Sequence, residues 1–357
     1  MKILHTSDIH LDSPLTSRLP ADKVRGRRRE LLQNFDRLVR RARDLGVRAI
    51  IIAGDLFDSE KISRKALDIS YEIIEASHDI TFFYLPGNHE GDAFLSSGRD
   101  MPQNLKVFNS DWTYYEIGDI TVAGRSDIRE GMFESLKLSP DGKNIVVLHG
   151  EARDRSASPD GIGIKDAAGK NIDYLALGHY HSYKTEAIDD RGVAVYSGTP
   201  EGRGFDEVGD KGFVLLDTDR ARMDFSFKSF ANRKLHIVQV DLSTAIKTAD
   251  INDMVDRAIR SISYSDIVRV ELCGKYSPSL WKDTGALLTR FSDKFYYFEV
   301  KDSSRLAINP DDFKHDKSLK GEFIRSVSAD TDIDEETKEK IIACGINALM
   351  GEDLFEI

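Results

Sequence analysis

Five short apolar runs in the first half of the chain each lead into a polar motif, and this pattern constrains the fold more than any other feature. The runs are read as buried strands of an α/β protein and span 2–6, 49–53, 81–85, 145–148 and 174–177. The motifs after them are Asp8-Ile9-His10, Gly54-Asp55, Gly87-Asn88-His89-Glu90, His149-Gly150 and Gly178-His179-Tyr180-His181. Parallel strands bring their carboxyl ends to one edge of a sheet, where such folds bind ligands. The motifs are therefore predicted to form one site.

Together the motifs supply seven side chains of metal-ligating type. These are Asp8, His10, Asp55, Asn88, His149, His179 and His181. Two divalent ions about 3.5–4 Å apart serve phosphodiester hydrolysis, because one activates the attacking water and the other holds the departing oxygen. Asp55 is the expected shared ligand, since a carboxylate has two oxygens. Mixed imidazole, carboxylate and amide ligation favours Mn²⁺, Fe²⁺ or Zn²⁺ over Mg²⁺ or Ca²⁺.

An isolated histidine or aspartate after a strand is more often a core or turn residue than a ligand. That structural interpretation applies to four further histidines, which are His5, His78, His236 and His315. For the seven candidate ligands it would require five coincidences in the right order along the chain. The ordered set therefore predicts a two-metal phosphoesterase.

The ordered motifs resemble the calcineurin-like metallophosphoesterase superfamily. Segments 7–14 and 54–58 are similar to its DNA-repair exonuclease branch, which holds SbcD, the YhaO-like proteins and the meiotic-recombination-eleven nuclease. Segments 196–203, 211–213 and 319–325 look most like the YhaO-like proteins. The resemblance implies an α/β fold, namely a β-sandwich flanked by helices, with a small α/β capping domain and a C-terminal helical tail.

The same resemblance implies a role for each motif residue. One ion would be held by Asp8, His10, Asp55 and His181. The other ion would be held by Asp55, Asn88, His149 and His179. His89 would stay free of metal, contact the scissile phosphate and assist the leaving group, so that His89 and Asp55 are the expected catalytic residues.

Two positions depart from the pattern of the resembled family. Asp58 stands where some family nucleases carry a second catalytic histidine, which leaves open whether the full exonuclease mechanism applies. Glu90 replaces the more usual aspartate after Asn-His and is interpreted as a tolerated change next to the ligands.

At 357 residues the chain is long enough for two or three domains. We predict a nuclease domain over 1–232, a capping domain over 233–301 and a helical segment over 302–357. The middle region reads as a βαβαβ unit with strands at 235–240, 267–273 and 295–300 and helices at 249–262 and 280–291. In the last region, 332–335 reads as a capping box that starts a helix running toward Met350, with Ile341, Ile342, Gly345, Ile346 and Leu349 as candidate buried positions.

The charge is distributed unevenly. A net charge of −11 does not resemble a free-standing DNA-binding protein, yet 18–48 holds eleven Lys/Arg against four Asp/Glu on an amphipathic helix pattern. A solvated helix face is one interpretation, and a track for the DNA backbone is the alternative. The residues proposed to contact DNA are Arg27, Arg28, Arg29 and Arg203. For Arg203 a solvated turn is equally open.

Cys273 and Cys344 are too few and too far apart for a disulfide scaffold. The chain begins directly with a strand that leads to Asp8, and no apolar run reaches the roughly 20 residues of a membrane span. These features predict a cytoplasmic protein without a signal peptide or membrane segment.

Three functions are weighed. The first is a Mn²⁺-dependent DNA phosphodiesterase, a 3'–5' exonuclease and single-strand endonuclease of double-strand-break repair. The resemblance implies for it an SMC-like ABC ATPase partner of SbcC or YhaN type, docked on the acidic tail, and admits a homodimer. The second is a small-substrate phosphodiesterase or phosphatase, for example on cyclic nucleotides. The third is a non-catalytic scaffold, against which the intact ligand set argues.

Overall fold

The computed structural model describes residues 1–15, 19–154, 161–220, 222–277, 280–307 and 309–350. Arg18, the first residue of the predicted basic segment, lies outside them. The chain separates into two compact units, Met1–Leu235 and His236–Ile357. The first boundary therefore falls three residues after the predicted one, and the further division at residue 302 stays a prediction.

The first unit contains two layers of β-structure. Its helices are α1 (Ala21–Asp44) and α2 (Arg64–Glu75). Its strands are β1 (Lys2–Thr6), β2 (Val47–Ala53), β3 (Thr81–Leu85), β4 (Leu105–Val107), β5 (Thr113–Ile117), β6 (Ile120–Gly124), β7 (Lys143–His149), β8 (Glu151–Arg153), β9 (Gly161–Gly163), β10 (Tyr174–Gly178), β11 (Lys184–Ala187), β12 (Val193–Tyr196), β13 (Gly212–Asp217) and β14 (Asp224–Ser229). One sheet has the order β14-β13-β1-β2-β3-β4 and the other β11-β12-β10-β7-β6-β5, while β8 pairs with β9.

The two sheets pack face to face through apolar side chains. Ile51 and Phe83 of the first sheet lie in one buried cluster with Val147 and Ala176 of the second. The other face of the first sheet is covered by α1 and α2, where Phe35 joins the cluster of that face. The α/β sandwich expected from the sequence is confirmed.

The sequence argument assumed that the five motif-bearing strands belong to a single sheet. In the structure they are divided between two sheets. β1, β2 and β3 are adjacent and parallel in the first sheet, whereas β7 and β10 are adjacent and parallel in the second. All five are buried on both faces, so their apolar runs look alike and carry no sign of which sheet they join. Their carboxyl ends nevertheless meet, because both sheets present that edge to the same side.

The second unit is built around a smaller sheet of order β15-β16-β18. Its elements are β15 (Leu235–Asp241), α3 (Thr248–Ile259), β16 (Ile267–Cys273), β17 (Lys275–Tyr276), α4 (Thr284–Phe291), β18 (Tyr297–Asp302), β19 (Arg305–Leu306), α5 (Leu319–Ala329) and α6 (Glu335–Met350). The predicted βαβαβ order is present, and α3 and α4 contribute Val255 and Phe291 to its core.

The C-terminal helices pack on each other through Ile324, Ile342 and Ile346. The predicted capping box at 332–335 is wrong in detail, because α6 begins at Glu335 and Asp334 accepts the N–H of Thr337 at 2.9 Å. A carboxylate directly before the first helical residue reaches that N–H, which the predicted cap two residues earlier does not. Of the predicted inward positions, Leu349 is about half exposed.

None of the helices within the described ranges combines the length and the apolar character that crossing a bilayer demands.

His5 on β1 predicts how the stability of the first unit depends on pH. Its ring is fully buried, with Nδ1 2.8 Å from the Tyr174 hydroxyl, and burial lowers its pKa to about 3. The unfolded chain protonates this histidine near pH 6.5 while the folded chain does not, so stability is lost as pH falls below that value. The wild type should lose free energy of unfolding between pH 7 and pH 5, and we expect His5→Gln to make that loss smaller by about 2 kcal/mol.

The measurement is urea unfolding at both pH values, with the exposed His78 changed to Gln as the matched control. The control should follow the wild type. Equal losses in wild type and His5→Gln would contradict the assignment of this pH dependence to His5.

Candidate metal centre

Several motif residues adopt unusual backbone conformations that direct their side chains into the site. Asp8, His10, Asp55 and His179 have φ values of 50°, 49°, 51° and 107°, which L-residues rarely adopt. The adjoining Gly54 is equally constrained, since a Cβ there would lie 2.1 Å from His149 Nδ1. These strained turns let backbone and side chains of both sheets approach closely.

The first metal group is the set Asp8, His10, Asp55 and His181. The Nε2 atoms of His10 and His181 are 3.3 Å apart. Asp8 Oδ1 is 3.8 Å from His181 Nε2, and Asp55 Oδ2 is 3.9 Å from His10 Nε2. The ligand atoms of Asp8, His10 and His181 are close enough together to hold one cation, and Asp8 also lies in a similar group with Asp55 and His149.

The second metal group is the set Asp55, Asn88, His149 and His179. His149 Nε2 lies 2.9 Å from Asn88 Oδ1 and 3.3 Å from Asp55 Oδ2. The rings of His149 and His179 are 5.6 Å apart and nearly perpendicular. Asn88 and His179 are exposed whereas His149 is buried, so this side of the centre is open to solvent.

Asp55 lies between the two groups and faces both of them with the same oxygen, Oδ2. Its Oδ1 accepts the backbone N–H of His89 at 3.2 Å, and its Oδ2 faces His10 and His149. The sequence argument expected Asp55 to be shared because its carboxylate has two oxygens. The structure instead turns a single oxygen toward both groups, so a bridge between two ions would run through Oδ2.

Electrostatics in the centre favour an ionised Asp55. Burial works against its ionisation, but the hydrogen bond and charge of His149 keep the pKa of Asp55 below its usual value. Burial also works against a charged His149, yet the contact with Asp55 raises the pKa of His149 to about 9. A divalent cation therefore competes with a proton for the space between Asp55 and His149.

His89 lies at the exposed face of the centre. Its Nε2 is 3.9 Å from Asp55 Oδ2, and its Nδ1 is 3.2 Å from the carbonyl oxygen of Asp58. Its ring centroid is 5.0 Å from that of His10. The free edge of this imidazole can reach a substrate that enters from solvent.

Charged residues outside the predicted ligand set surround the first metal group. Asp58 Oδ1 is 3.1 Å from His10 Nδ1, an ion-pair distance without the alignment of a hydrogen bond. Glu207 Oε1 is 2.8 Å from His181 Nδ1. Arg203 contacts both carboxylates, so it is not a solvated turn residue. His10, Asp58 and His89 could also hold a cation together, but Arg203 already neutralises Asp58.

Glu207 was not identified from the sequence. It lies in the Gly-rich segment between β12 and β13. No strand or helix period marks it there, so little in the sequence indicates its role. Burial works against its ionisation, but the hydrogen bond to His181 and the charge of Arg203 lower the pKa of Glu207 to about 2.

Glu90 supports the loop that carries Asn88 and His89. Its Oε1 accepts the backbone N–H groups of Leu56 and Gly87 and the hydroxyl of Tyr84. Burial raises the pKa of Glu90 to about 7. One oxygen of this longer side chain thus accepts three hydrogen bonds, while Oε2 is buried without a hydrogen bond to the described residues.

The arginines proposed to contact DNA divide into two kinds. The Arg27 guanidinium is buried and bound by Glu30, Glu201 and the carbonyl oxygen of Gly202. Arg28 and Arg29 are exposed on α1. The structure therefore leaves the latter two accessible to a ligand and places Arg27 in the interior.

A cavity of about 690 Å³ adjoins the second metal group. Its walls are formed by Pro86, Gly87, Asn88, Gly91, Asp92, Ser126, Asp127, Ile128, His149, Gly150, Glu151, Arg153 and His179. Its volume is within the range of small-ligand pockets. Its three carboxylates can accept hydrogen bonds from sugar hydroxyls or base amino groups.

The model of the calcineurin-like phosphoesterase family matches residues 1–201, more than half of the chain. The chain belongs to the calcineurin-like phosphoesterase family. It is thus a metallophosphoesterase, and this family uses a dinuclear metal site, which the grouped aspartate and histidine side chains fit.

Several curated proteins are similar to this chain at low identity. YhaO of Bacillus subtilis, an uncharacterized metallophosphoesterase, is 24% identical over 72% of this chain and 67% of its own length. The DNA double-strand break repair protein Mre11 of Methanosarcina acetivorans is 24% identical over 75% of this chain and 45% of its own. Mre11 of Sulfurisphaera tokodaii is 26% identical over 60% of this chain and 59% of its own. The match thus spans about half of each Mre11 protein.

Proposed function

We propose that this protein is a dinuclear-metal-dependent DNA phosphodiesterase, a 3'–5' exonuclease and single-strand endonuclease of double-strand-break repair in the cytoplasm. The observation that carries the proposal is Asp55 Oδ2, which faces the histidines of both metal groups at 3.9 and 3.3 Å. The names of the Mre11 relatives support DNA as the substrate. Mn²⁺ is the proposed ion, with Fe²⁺ and Zn²⁺ as alternatives.

Two bound divalent ions would activate the attacking water and neutralise charge on the phosphoryl group. The first and second metal groups defined above would hold one ion each. His89 is exposed beside buried Asp55, and it would contact the phosphate and donate a proton to the departing oxygen. The Asp58 carbonyl oxygen near its Nδ1 fixes the orientation of that ring.

DNA would approach over exposed Arg28 and Arg29, which can contact backbone phosphates. Because the chain as a whole is acidic, we propose that an SMC-like ABC ATPase of SbcC or YhaN type supplies further grip on DNA. Its docking site would be the hairpin of α5 and α6, on which Leu319 is largely exposed.

A second candidate function is a phosphodiesterase or phosphatase for small substrates. The cavity beside His149 and His179 favours it, because its volume fits a single nucleotide-sized ligand. The same metal groups would serve this reaction.

The test is Mn²⁺-dependent cleavage of end-labelled single- and double-stranded DNA, with a chromogenic small diester in parallel. We expect DNA cleavage that falls by about 10²-fold or more in His89→Ala, the range typical of a lost general acid. The exposed His78 changed to Ala is the matched control and should retain full activity.

Turnover of the small diester alone, unchanged when a candidate SMC-like ATPase is added, would replace the first proposal by the second. Absence of turnover on either substrate, in a protein that binds two ions, would contradict both.

A further inference from the structure

The two histidine rings of the first metal group face charged side chains rather than backbone carbonyl groups. His181 is bound through Nδ1 to Glu207 Oε1 at 2.8 Å, and His10 Nδ1 faces Asp58 Oδ1 at 3.1 Å. In both rings the Nε2 atom is therefore left for the cation. Asp58 follows the Gly54-Asp55 motif by three residues. Glu207 lies in the segment between β12 and β13, outside the five motifs.

Arg203 joins these two carboxylates. One of its terminal nitrogens lies 2.5 Å from Asp58 Oδ1, while its Nε and its other terminal nitrogen lie 3.1 and 2.8 Å from Glu207 Oε1. Its backbone N–H is bound by Glu207 Oε2 at 2.7 Å. One guanidinium therefore links the residues that orient both histidines of the first metal group.

The second metal group is anchored differently. His149 Nδ1 donates to the backbone carbonyl of Ala53, the last residue of β2, at 2.9 Å. That anchor belongs to a central strand and has no contact with Arg203 among the described interactions. The two groups share Asp55, and Asp8 accepts the backbone N–H of His179, but the rings of His181 and His149 are held by different partners.

Direct contact of Arg203 with a substrate phosphate is the competing interpretation. Its side chain is mostly buried, and all three of its side-chain nitrogens are within hydrogen-bond distance of a carboxylate. It also lies apart from the walls of the cavity beside the second metal group. These contacts match an orienting role better than a phosphate-binding one.

We infer that Arg203 is a positioning residue for the first metal group alone: by joining Asp58 and Glu207 it sets the separation of the His10 and His181 imidazoles. This inference rests on the proposed assignment of the two metal groups, but not on DNA as the substrate. Loss of Arg203 weakens one of the two ion positions and leaves the other intact.

The test is Mn²⁺ titration by calorimetry of the full-length wild type, Arg203→Met and Arg203→Lys. We expect two sites in the wild type. In Arg203→Met one site should weaken by about 10- to 100-fold, the usual effect of losing a residue that orients a ligand, while the other is unchanged. Arg203→Lys keeps the charge without the planar guanidinium geometry. Its affinity at the weakened site should lie between those of the wild type and Arg203→Met.

Electron paramagnetic resonance gives an independent readout. The wild type should give the spectrum of an exchange-coupled Mn²⁺ pair, whereas Arg203→Met should give the spectrum of isolated Mn²⁺. The matched control is Arg48→Met, an exposed arginine at the opposite end of β2, which should bind two ions like the wild type. Circular dichroism verifies that each variant is folded, and Arg203→Lys serves as the test if Arg203→Met is not.

Unchanged affinity at both sites, equal loss at both sites in a folded variant, or fewer than two sites in the wild type would each overturn the inference. Two wild-type sites with no cleavage of DNA, either alone or with a candidate SMC-like ATPase, would instead contradict the proposed function and leave this inference standing.

Discussion

Asp55→Asn should abolish turnover and weaken metal binding at both groups. The substitution keeps the size of the side chain and its contact with the His89 N–H, but it takes away the charge that faces His10 and His149. Because transition-state charge would be stabilised through the bound ions, we expect kcat/KM to fall by at least about 10³-fold. The measurements are metal content by mass spectrometry and hydrolysis of whichever substrate the wild type cleaves.

The matched control for Asp55→Asn is Asp206→Asn, an exposed aspartate in the segment between β12 and β13. It changes the net charge equally and should leave metal content and turnover unchanged. A variant Asp55→Asn that retained both ions would contradict a bridging role for Oδ2. Loss of one ion only would show that the two groups do not share this carboxylate.

The same substitution should also alter how metal binding depends on pH. In the wild type, contact with Asp55 raises the pKa of His149 to about 9, so metal binding near pH 7 must displace a proton from this imidazole. Without the carboxylate that support for the proton is lost. Residual metal binding by Asp55→Asn should then release fewer protons, which calorimetry in buffers of different ionisation enthalpy measures.

The grouping of the candidate ligands at one edge could be predicted because each of them lies at or just after the end of a buried strand. Asp8, Asp55 and His149 needed no knowledge of the loops between the strands, since parallel strands bring their ends to one edge. The division of these strands between two sheets could not be predicted, because an apolar run buried on both faces has the same pattern in either sheet.

The residues that support the ligands were harder to predict. Glu207 and Asp58 act through contacts that join segments distant in sequence, and no periodicity marks such pairs. Arg27 carried a usable signal, since it lies four residues before Leu31 and eight before Phe35, both on the buried face of α1. Reading the three consecutive arginines as one surface cluster overlooked that spacing.

Glu201→Gln should strongly destabilise the first unit. Glu201 and Arg27 are both buried, with Oε1 2.5 Å from the guanidinium, and Glu201 Oε2 also accepts the N–H of Asn232 at 2.6 Å. Removing one partner of a buried ion pair leaves an uncompensated charge in the interior and costs about 3–5 kcal/mol. Glu30 remains beside Arg27 and should hold the loss toward the lower end of that range.

The measurement is chemical unfolding followed by the fluorescence of Trp112, in a Trp281→Phe background so that only the first unit is reported. The exposed pair Arg40 and Asp36 provides the control, because Asp36→Asn there should cost no more than about 1 kcal/mol. The double variant Arg27→Met with Glu201→Gln should recover much of the loss, since no unpaired charge remains. If it is as unstable as the sum of the single variants, the pair is not coupled.

Glu201 also begins the segment that carries Arg203 and Glu207, so the same variant connects stability with the metal centre. Arg27 fixes this segment to α1 through Glu201 and the carbonyl oxygen of Gly202. If the anchor holds Arg203 in place, Glu201→Gln in its folded state should weaken the first metal group more than the second. Mn²⁺ titration at denaturant concentrations well below the unfolding midpoint tests this expectation. An equal change in affinity at both sites would confine Glu201 to a structural role.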